Sequence, residues 1–304
     1  MRNPRPCFYC LFISLLSWSE CLVAQPAPAA NGGKLKVQDV YLSTGSVAGF
    51  SQTGTLSDFM QLAPESRLLQ NNLDGFSQTG EDFTGGSGMF SELLGFQFKD
   101  QNQSYNSNPQ LRVGFSYTSG SILTDYLWKD MRQPYDTLTS SQTGQIYLVD
   151  TITQESYDLN YQTDQVHLEA SLIYRTKPEA RWSLYGGLGF TAGVSINSFT
   201  TVDYYKSSGT SLHNADPSTY YYPVYYSSSG TYQTETHRNK TNTALSVFVP
   251  IGVDFRIARK NDFWKRMHLF YEMRPGLLFT FIPETRTVKE AFFQSVFGLR
   301  VEIH

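Results

Sequence analysis

Read backwards from its C-terminus, the chain alternates apolar and polar residues with a period of two. In Ala291 to His304, Phe293, Phe297, Leu299, Val301 and Ile303 share one face, and Gln294, Gly298, Arg300 and Glu302 share the other. Met267 to Ile282 sets Leu269, Tyr271, Met273, Leu277, Phe279 and Phe281 against His268, Glu272, Arg274 and Thr280. In Thr241 to Ala258, Leu245, Val247, Val249, Ile251, Val253, Phe255 and Ile257 oppose Ser246, Asp254 and Arg256. Trp182 to Val202 places Trp182, Leu184, Leu188, Phe190, Val194 and Ile196 opposite Ser183, Tyr185, Gly187, Gly189, Thr191 and Ser195. Each segment is predicted to be a β-strand with one apolar and one polar face.

Upstream, Tyr157 to Arg175 changes parity: Tyr157, Leu159 and Tyr161 are odd, whereas Val166, Leu168, Leu172 and Tyr174 are even. One apolar face is kept only if the strand slips by a residue, so a β-bulge is predicted near Gln165. Pro109 to Trp128, with Leu111, Val113, Phe115 and Tyr117 opposite Arg112, Gly114, Ser116 and Thr118, adds another strand. Met89 to Lys99 and Lys34 to Ser46 complete eight.

The connections fall into two sets that alternate along the chain. Those at 100–108, 176–181 and 259–266 are short, whereas those at 47–88, 129–156 and 203–240 are long, with 284–290 as a short member of the second set. A soluble sandwich also alternates apolar and polar positions. It does not need segments well beyond the usual ~5–6 residues of a strand, nor long loops confined to one side, nor charges in the middle of the polar faces. These features predict an all-β fold over 34–304: a transmembrane antiparallel up-and-down β-barrel of about eight strands, with short periplasmic turns and long extracellular loops.

The N-terminus fits export. Arg2 and Arg5 precede an apolar run from Cys7 to Leu16, and Leu22-Val23-Ala24 ends in a small residue, so 1–24 reads as a signal peptide cleaved after Ala24. A lipid anchor at Cys21 is the weaker reading, because Trp18 and Glu20 stand where small apolar residues are wanted. Residues 25–33 form a Pro/Ala/Gly linker. All three cysteines, Cys7, Cys10 and Cys21, fall in the signal, which leaves the mature chain no disulfide and no thiolate metal site. Cleavage removes Arg2, Arg5 and Glu20 from 24 basic and 27 acidic residues, leaving 22 against 26. That weak acidic balance argues against a nucleic-acid partner.

Three stretches carry a family resemblance: Leu22-Val23-Ala24-Gln25, the strand start Arg181-Trp182-Ser183-Leu184-Tyr185-Gly186-Gly187-Leu188-Gly189, and the closing Phe297-Gly298-Leu299-Arg300-Val301-Glu302-Ile303. In these the chain resembles the outer-membrane β-barrel families of Bacteroidetes-type bacteria, the PorT-like group among them. The closing strand is similar to the insertion signal read by the barrel-assembly machinery, although it ends in His304 and not in an aromatic residue. The resemblance implies an outer-membrane location and a barrel, and no single activity.

If the strand faces hold, Arg112, His167, Glu169, Arg175, Asp254, Arg256, His268, Glu272, Arg274, Arg300 and Glu302 point into the lumen. An eight-stranded barrel is only wide enough for side chains to fill. These charges are therefore expected to pair into a plug, with a proton or ion path as the alternative. No catalytic residues are assigned. His167 with Glu169 and His268 with Glu272 each offer a base near a carboxylate, but neither completes a nucleophile–base–orienter set. His, Asp and Glu lack zinc or EF-hand spacing, so no metal and no cofactor is expected.

The segment 203–240 is rich in Tyr, Ser, Thr and Gly. Tyr220, Tyr221, Tyr222, Tyr225 and Tyr226 are a candidate binding surface for an envelope protein or glycan, because rigid amphipathic rings give contact area at low entropic cost. The alternative is that the same tyrosines extend the barrel wall as a ribbon. In the first long loop, Leu56, Phe59, Met60, Leu62, Leu68 and Leu69 predict a short amphipathic helix, interrupted at Pro64, that could cap the barrel mouth. The function expected from all this is non-enzymatic: an outer-membrane anchor or scaffold with loops for recognition or envelope assembly. A narrow pore and a barrel enzyme acting on lipid or peptide are the alternatives. Its partners would be outer-membrane lipid and, during insertion, the barrel-assembly machinery.

Overall fold

The computed structural model describes residues 35–49, 53–79, 87–99, 105–177, 180–214, 224–258 and 260–303. The expected signal peptide at 1–24, the linker at 25–33 and Tyr220, Tyr221 and Tyr222 lie outside these residues.

The elements in chain order are β1 (Leu35–Gly49), α1 (Leu56–Leu62), β2 (Ser77–Thr79), β3 (Ser87–Lys99), β4 (Tyr105–Thr139), β5 (Ile146–Arg175), β6 (Trp182–Asn214), β7 (Val224–Arg238), β8 (Thr243–Phe248), β9 (Ile251–Arg256), α2 (Asp262–Lys265), β10 (Met267–Phe281) and β11 (Thr287–Glu302). Eight wall positions close into a ring of antiparallel neighbours: β1, β3, β4, β5, β6, the β8–β9 pair, β10 and β11, which returns to β1. β8 and β9 occupy one position, interrupted at Val249 and Pro250, because proline has no N–H to give to the ladder. Gly187 N–H still donates to the Pro250 carbonyl at 3.0 Å, so the wall stays sealed there. Closure leaves this ring with no free edge.

Alternation sorts the side chains as the sequence predicts. Leu184, Leu188, Phe190 and Val194 of β6, Val247 and Ile251 of β8 and β9, Leu277 of β10 and Phe297 of β11 are exposed on the outside. Arg112, Glu169, Glu272 and Arg300 are fully buried inside. The apolar residues thus cover the outer face while the charges fill the interior, the reverse of a soluble barrel.

Three expectations need correction. First, the segments 129–156 and 203–240 are not loops along most of their length. β4, β5 and β6 continue upward past the level at which β1, β3, β8 and β10 end, and β7 pairs with β6 from Phe199–Arg238 to Leu212–Val224. Second, the bulge is not in β5. The odd residues of β5 face inward from Tyr157 to Arg175 without a break. The extra residues are in its neighbours: Ile122 of β4, between the pairs Ser121–Gln162 and Leu123–Tyr161, and Ile196 of β6, between Asn197–Asp164 and Ser195–Gln165. Third, Tyr157, Leu159 and Tyr161 therefore face inward, not outward.

Both bulges lie at the upper rim, where β4 and β6 leave the ring, and each reverses which residues point inward. Below the rim the inner residues are polar, such as Arg112 and Ser116 of β4 and Thr191 and Ser195 of β6. Above it they include Leu123 and Leu127 of β4 and Val202 of β6. These join Tyr157, Leu159 and Tyr161, together with Ile282 and Val288 from the β10–β11 turn, in one apolar cluster.

Phe59, Leu62, Ala63, Leu68 and Leu69 complete that cluster, so α1 and the turns after it fill the barrel mouth. α1 begins with a capping box in which Asp58 N–H donates to the Thr55 hydroxyl and Thr55 N–H donates to the Asp58 carboxylate at 2.9 Å. Arg286 Nη2 stands 3.2 Å from the same carboxylate, and Asn239 Nδ2 donates to the Leu62 carbonyl at 2.7 Å. Met60 faces away and is exposed.

Candidate functional site in the barrel lumen

The lumen is layered. At the lower end, where the short turns lie, β1, β9, β10 and β11 converge on Arg300. Its guanidinium stands 3.0 Å from Asp254 and 3.3 Å from both Asp39 and Glu302. His268 bridges the same groups, with Nδ1 2.5 Å from Asp254 and Nε2 3.2 Å from Glu302. Arg256 Nη2 reaches Glu302 at 3.9 Å and forms the outer margin of the cluster. Arg175 of β5 closes the far side: it pairs with Asp254 at 3.0 Å and donates to the Tyr41 hydroxyl at 2.7 Å.

One layer higher, Arg112 of β4 pairs with Glu272 of β10 at 2.7 Å and donates from Nε to Ser171 Oγ at 2.9 Å. Arg274 contacts Glu272 as well and stands 3.0 Å from Glu169. Aromatic faces complete these cations. Arg175 lies 4.8 Å from the Tyr185 ring centre, Arg112 5.5 Å from that of Tyr41, and Arg274 5.1 Å from that of Phe248. Beside these layers Phe270, Met89, Leu93 and Val296 pack around Tyr41.

All eleven lumen residues expected from the sequence lie inside. Arg112, Arg175, Glu169, Asp254, His268, Glu272, Arg274 and Arg300 join the two ion-pair layers, with Arg256 and Glu302 at the lower margin. His167 stands apart: its Nε2 is 3.1 Å from Thr118 Oγ1, and Gly193 leaves the space that its ring occupies. Asp39, Tyr41 and Gln110 belong to the network and were not singled out. Asp39 could have been, because it lies on the face of β1 opposite Val40 and Leu42. Gln110 accepts from the Tyr41 hydroxyl at 2.7 Å and donates to Asp39, which places it between the layers.

Of the tyrosine surface, Tyr225 and Tyr226 lie on β7, in register with Ser211 and Thr210 of β6. Their backbone thus belongs to a ribbon.

Among the described residues no group of three or more His, Cys, Asp or Glu is arranged to hold a metal ion, and no helix is long and apolar enough to cross a membrane. A chain of paired arginines and carboxylates in a narrow lumen acts as a packed electrostatic core. Within the two layers each charge is paired with an opposite one.

No protein-family description and no curated protein matches the sequence. Among solved structures, the chain is similar to Neisserial surface protein A, at 13% identity over 89% of this chain and 100% of the other, with a TM-score of 0.31. It is also similar to the attachment invasion locus protein Ail of Yersinia pestis, at 13% identity over 87% of this chain and 99% of the other, with a TM-score of 0.26.

Proposed function

We propose that this chain is an exported outer-membrane barrel that acts as a closed anchor, carrying the β4–β7 sheet above the surface for recognition or for assembly with other envelope components. The carrying observation is that the lumen is blocked twice, by the arginine–carboxylate layers below and by the α1 plug above. A protein built to pass solutes has no use for two seals. The outward apolar face supports lipid as its surroundings, because exposed leucine, valine and phenylalanine around an entire ring are tolerable only in a bilayer. In this reading 1–24 is removed during export, the barrel-assembly machinery reads the closing strand, and the upper end faces outward, consistent with a PorT-like barrel.

A barrel enzyme is the less favoured reading. His268 is held between two carboxylates and an arginine, and no serine or cysteine among the described residues is bonded to it. Reconstitution into planar bilayers tests the anchor: silent membranes are the expected result, and steady single-channel steps that change with Arg112 or Arg274 would overturn it. Fractionation without detergent tests the placement, since recovery in the soluble periplasm would remove both the location and the anchor role.

A further inference from the structure

Between the upper ion-pair layer and the α1 plug the lumen holds a cavity of about 50 Å³. That is room for a few water molecules. His167, Glu169, Glu290, Gln165 and Gln294 line it, along with the hydroxyls of Ser116, Thr118, Thr191 and Ser246. Met89, Leu278 and Phe292 supply its apolar wall.

The chemistry of this lining is lopsided. His167 Nδ1, both Glu169 carboxylate oxygens and Gln294 Oε1 are buried without a hydrogen-bond partner. Arg274 stands close to Glu169 but outside hydrogen-bonding geometry, so charge is compensated there while the oxygens stay free to accept. His167 Nε2 meets Thr118 Oγ1 at 3.1 Å, and its Nδ1 accepts or donates according to the tautomer. Glu169 and Gln294 thus leave three acceptor oxygens over against one unpartnered donor, Arg274 Nη1, and buried acceptors without donors are costly.

Charge leans the same way. Arg112 offsets Glu272 and Arg274 offsets Glu169, whereas Glu290 has no cationic partner among the described residues. Its carboxylate lies against Gly49, where a Cβ would sit 1.5 Å from Oε1, so the backbone opposite leaves it room.

We propose that this chamber is a binding site for a small N–H-bearing cation, ammonium or an amine the size of methylammonium, held by Glu290, Glu169 and the Gln294 amide oxygen. Such an ion brings several donors and one positive charge into a space that has room for it. Water would satisfy the acceptors and leave the charge of Glu290 uncompensated. Among the described residues no group of three His, Cys, Asp or Glu offers a transition-metal ligand set there.

The test uses the mature chain folded in detergent, with thermal unfolding followed in ammonium chloride, methylammonium chloride, sodium chloride and tetramethylammonium chloride at equal ionic strength. A saturable rise in Tm with ammonium and methylammonium alone is expected, because tetramethylammonium has the charge without N–H donors. Glu290→Gln should abolish the rise. Gln294→Met, which keeps every charge, should weaken it and serves should Glu290→Gln not fold. Equal Tm in all four salts would overturn the proposal. A rise retained in both variants would place the ion elsewhere and overturn the site.

Discussion

Ser66 Oγ donates a 2.6 Å hydrogen bond to Glu235 Oε2, joining the plug to β7 across 169 residues of chain. Leu68 N–H approaches the same oxygen at 3.4 Å. The mouth is therefore fastened to the projecting sheet as well as packed against it. Ser66→Ala should remove a charge-assisted bond of about 1.5–3 kcal/mol. Hydrogen exchange of the amides at 66–69 should quicken, while those of the barrel strands stay unchanged.

The same tie gives a pH dependence. Partial burial opposes ionisation of Glu235, but the Ser66 hydroxyl, the Leu68 amide and His237 outweigh it and hold the carboxyl below the usual range. A depressed folded-state value means that the stabilisation is complete above the ordinary glutamate value of about 4.3. It is lost as pH falls through the lower, folded value. A spin label at Met60→Cys, in a chain lacking residues 1–24 and so without other cysteines, should sharpen its spectrum below about pH 4. In Glu235→Gln the label should be mobile at neutral pH already.

Phe59 is wholly buried beneath α1. Phe59→Ala should cost about 3–5 kcal/mol of packing. The loss falls on the plug: protease should cut near 55–76, while the fall in electrophoretic mobility on heating, which reports the barrel, should occur at an unchanged temperature.

In the lumen, Arg112→Met strands Glu272 beside Arg274 alone and should destabilise the barrel by about 3–5 kcal/mol. Arg112→Met with Glu272→Met should recover much of that loss, because an apolar pair needs no charge compensation. Denaturant unfolding of both variants in detergent micelles checks the pair.

On the outer face, Leu188→Arg or Val249→Arg should impair insertion by about 2–4 kcal/mol if the site lies near the bilayer midplane. Assembly into vesicles, followed by the folded-to-unfolded ratio on a gel, measures it.

The ring was legible in the sequence because lipid on one side and a filled lumen on the other force each strand to alternate. Leu245 to Phe255 and Leu269 to Phe281 show this without interruption. Above the rim that constraint ends. In 129–156 and 203–240 both faces carry Thr, Ser, Asp and Tyr, so strands with no apolar side to hide looked like loops. The parity change in β5 was visible, but its cause was assigned to the wrong strand. A sequence shows that Tyr157 and Val166 lie on opposite faces; it does not show that an apolar plug waits inside for Tyr157. Asp39 and Gln110 were passed over for a related reason, since each carries meaning only through partners on other strands.

The unequal strand lengths have a mechanical meaning. β4 runs on from its bulge at Ile122 to Thr139, so the turn between β4 and β5 stands roughly 55 Å beyond the barrel rim, at ~3.3 Å per residue. A pull on that tip runs along the β4–β5 ladder, whose hydrogen bonds lie across the strands and must all yield together. A pull sideways on β7 loads the Ser66–Glu235 bond together with its ladder to β6. Whatever seizes β7 thus tugs on the stopper, and whatever seizes the tip of β4 and β5 tugs on the whole bottle.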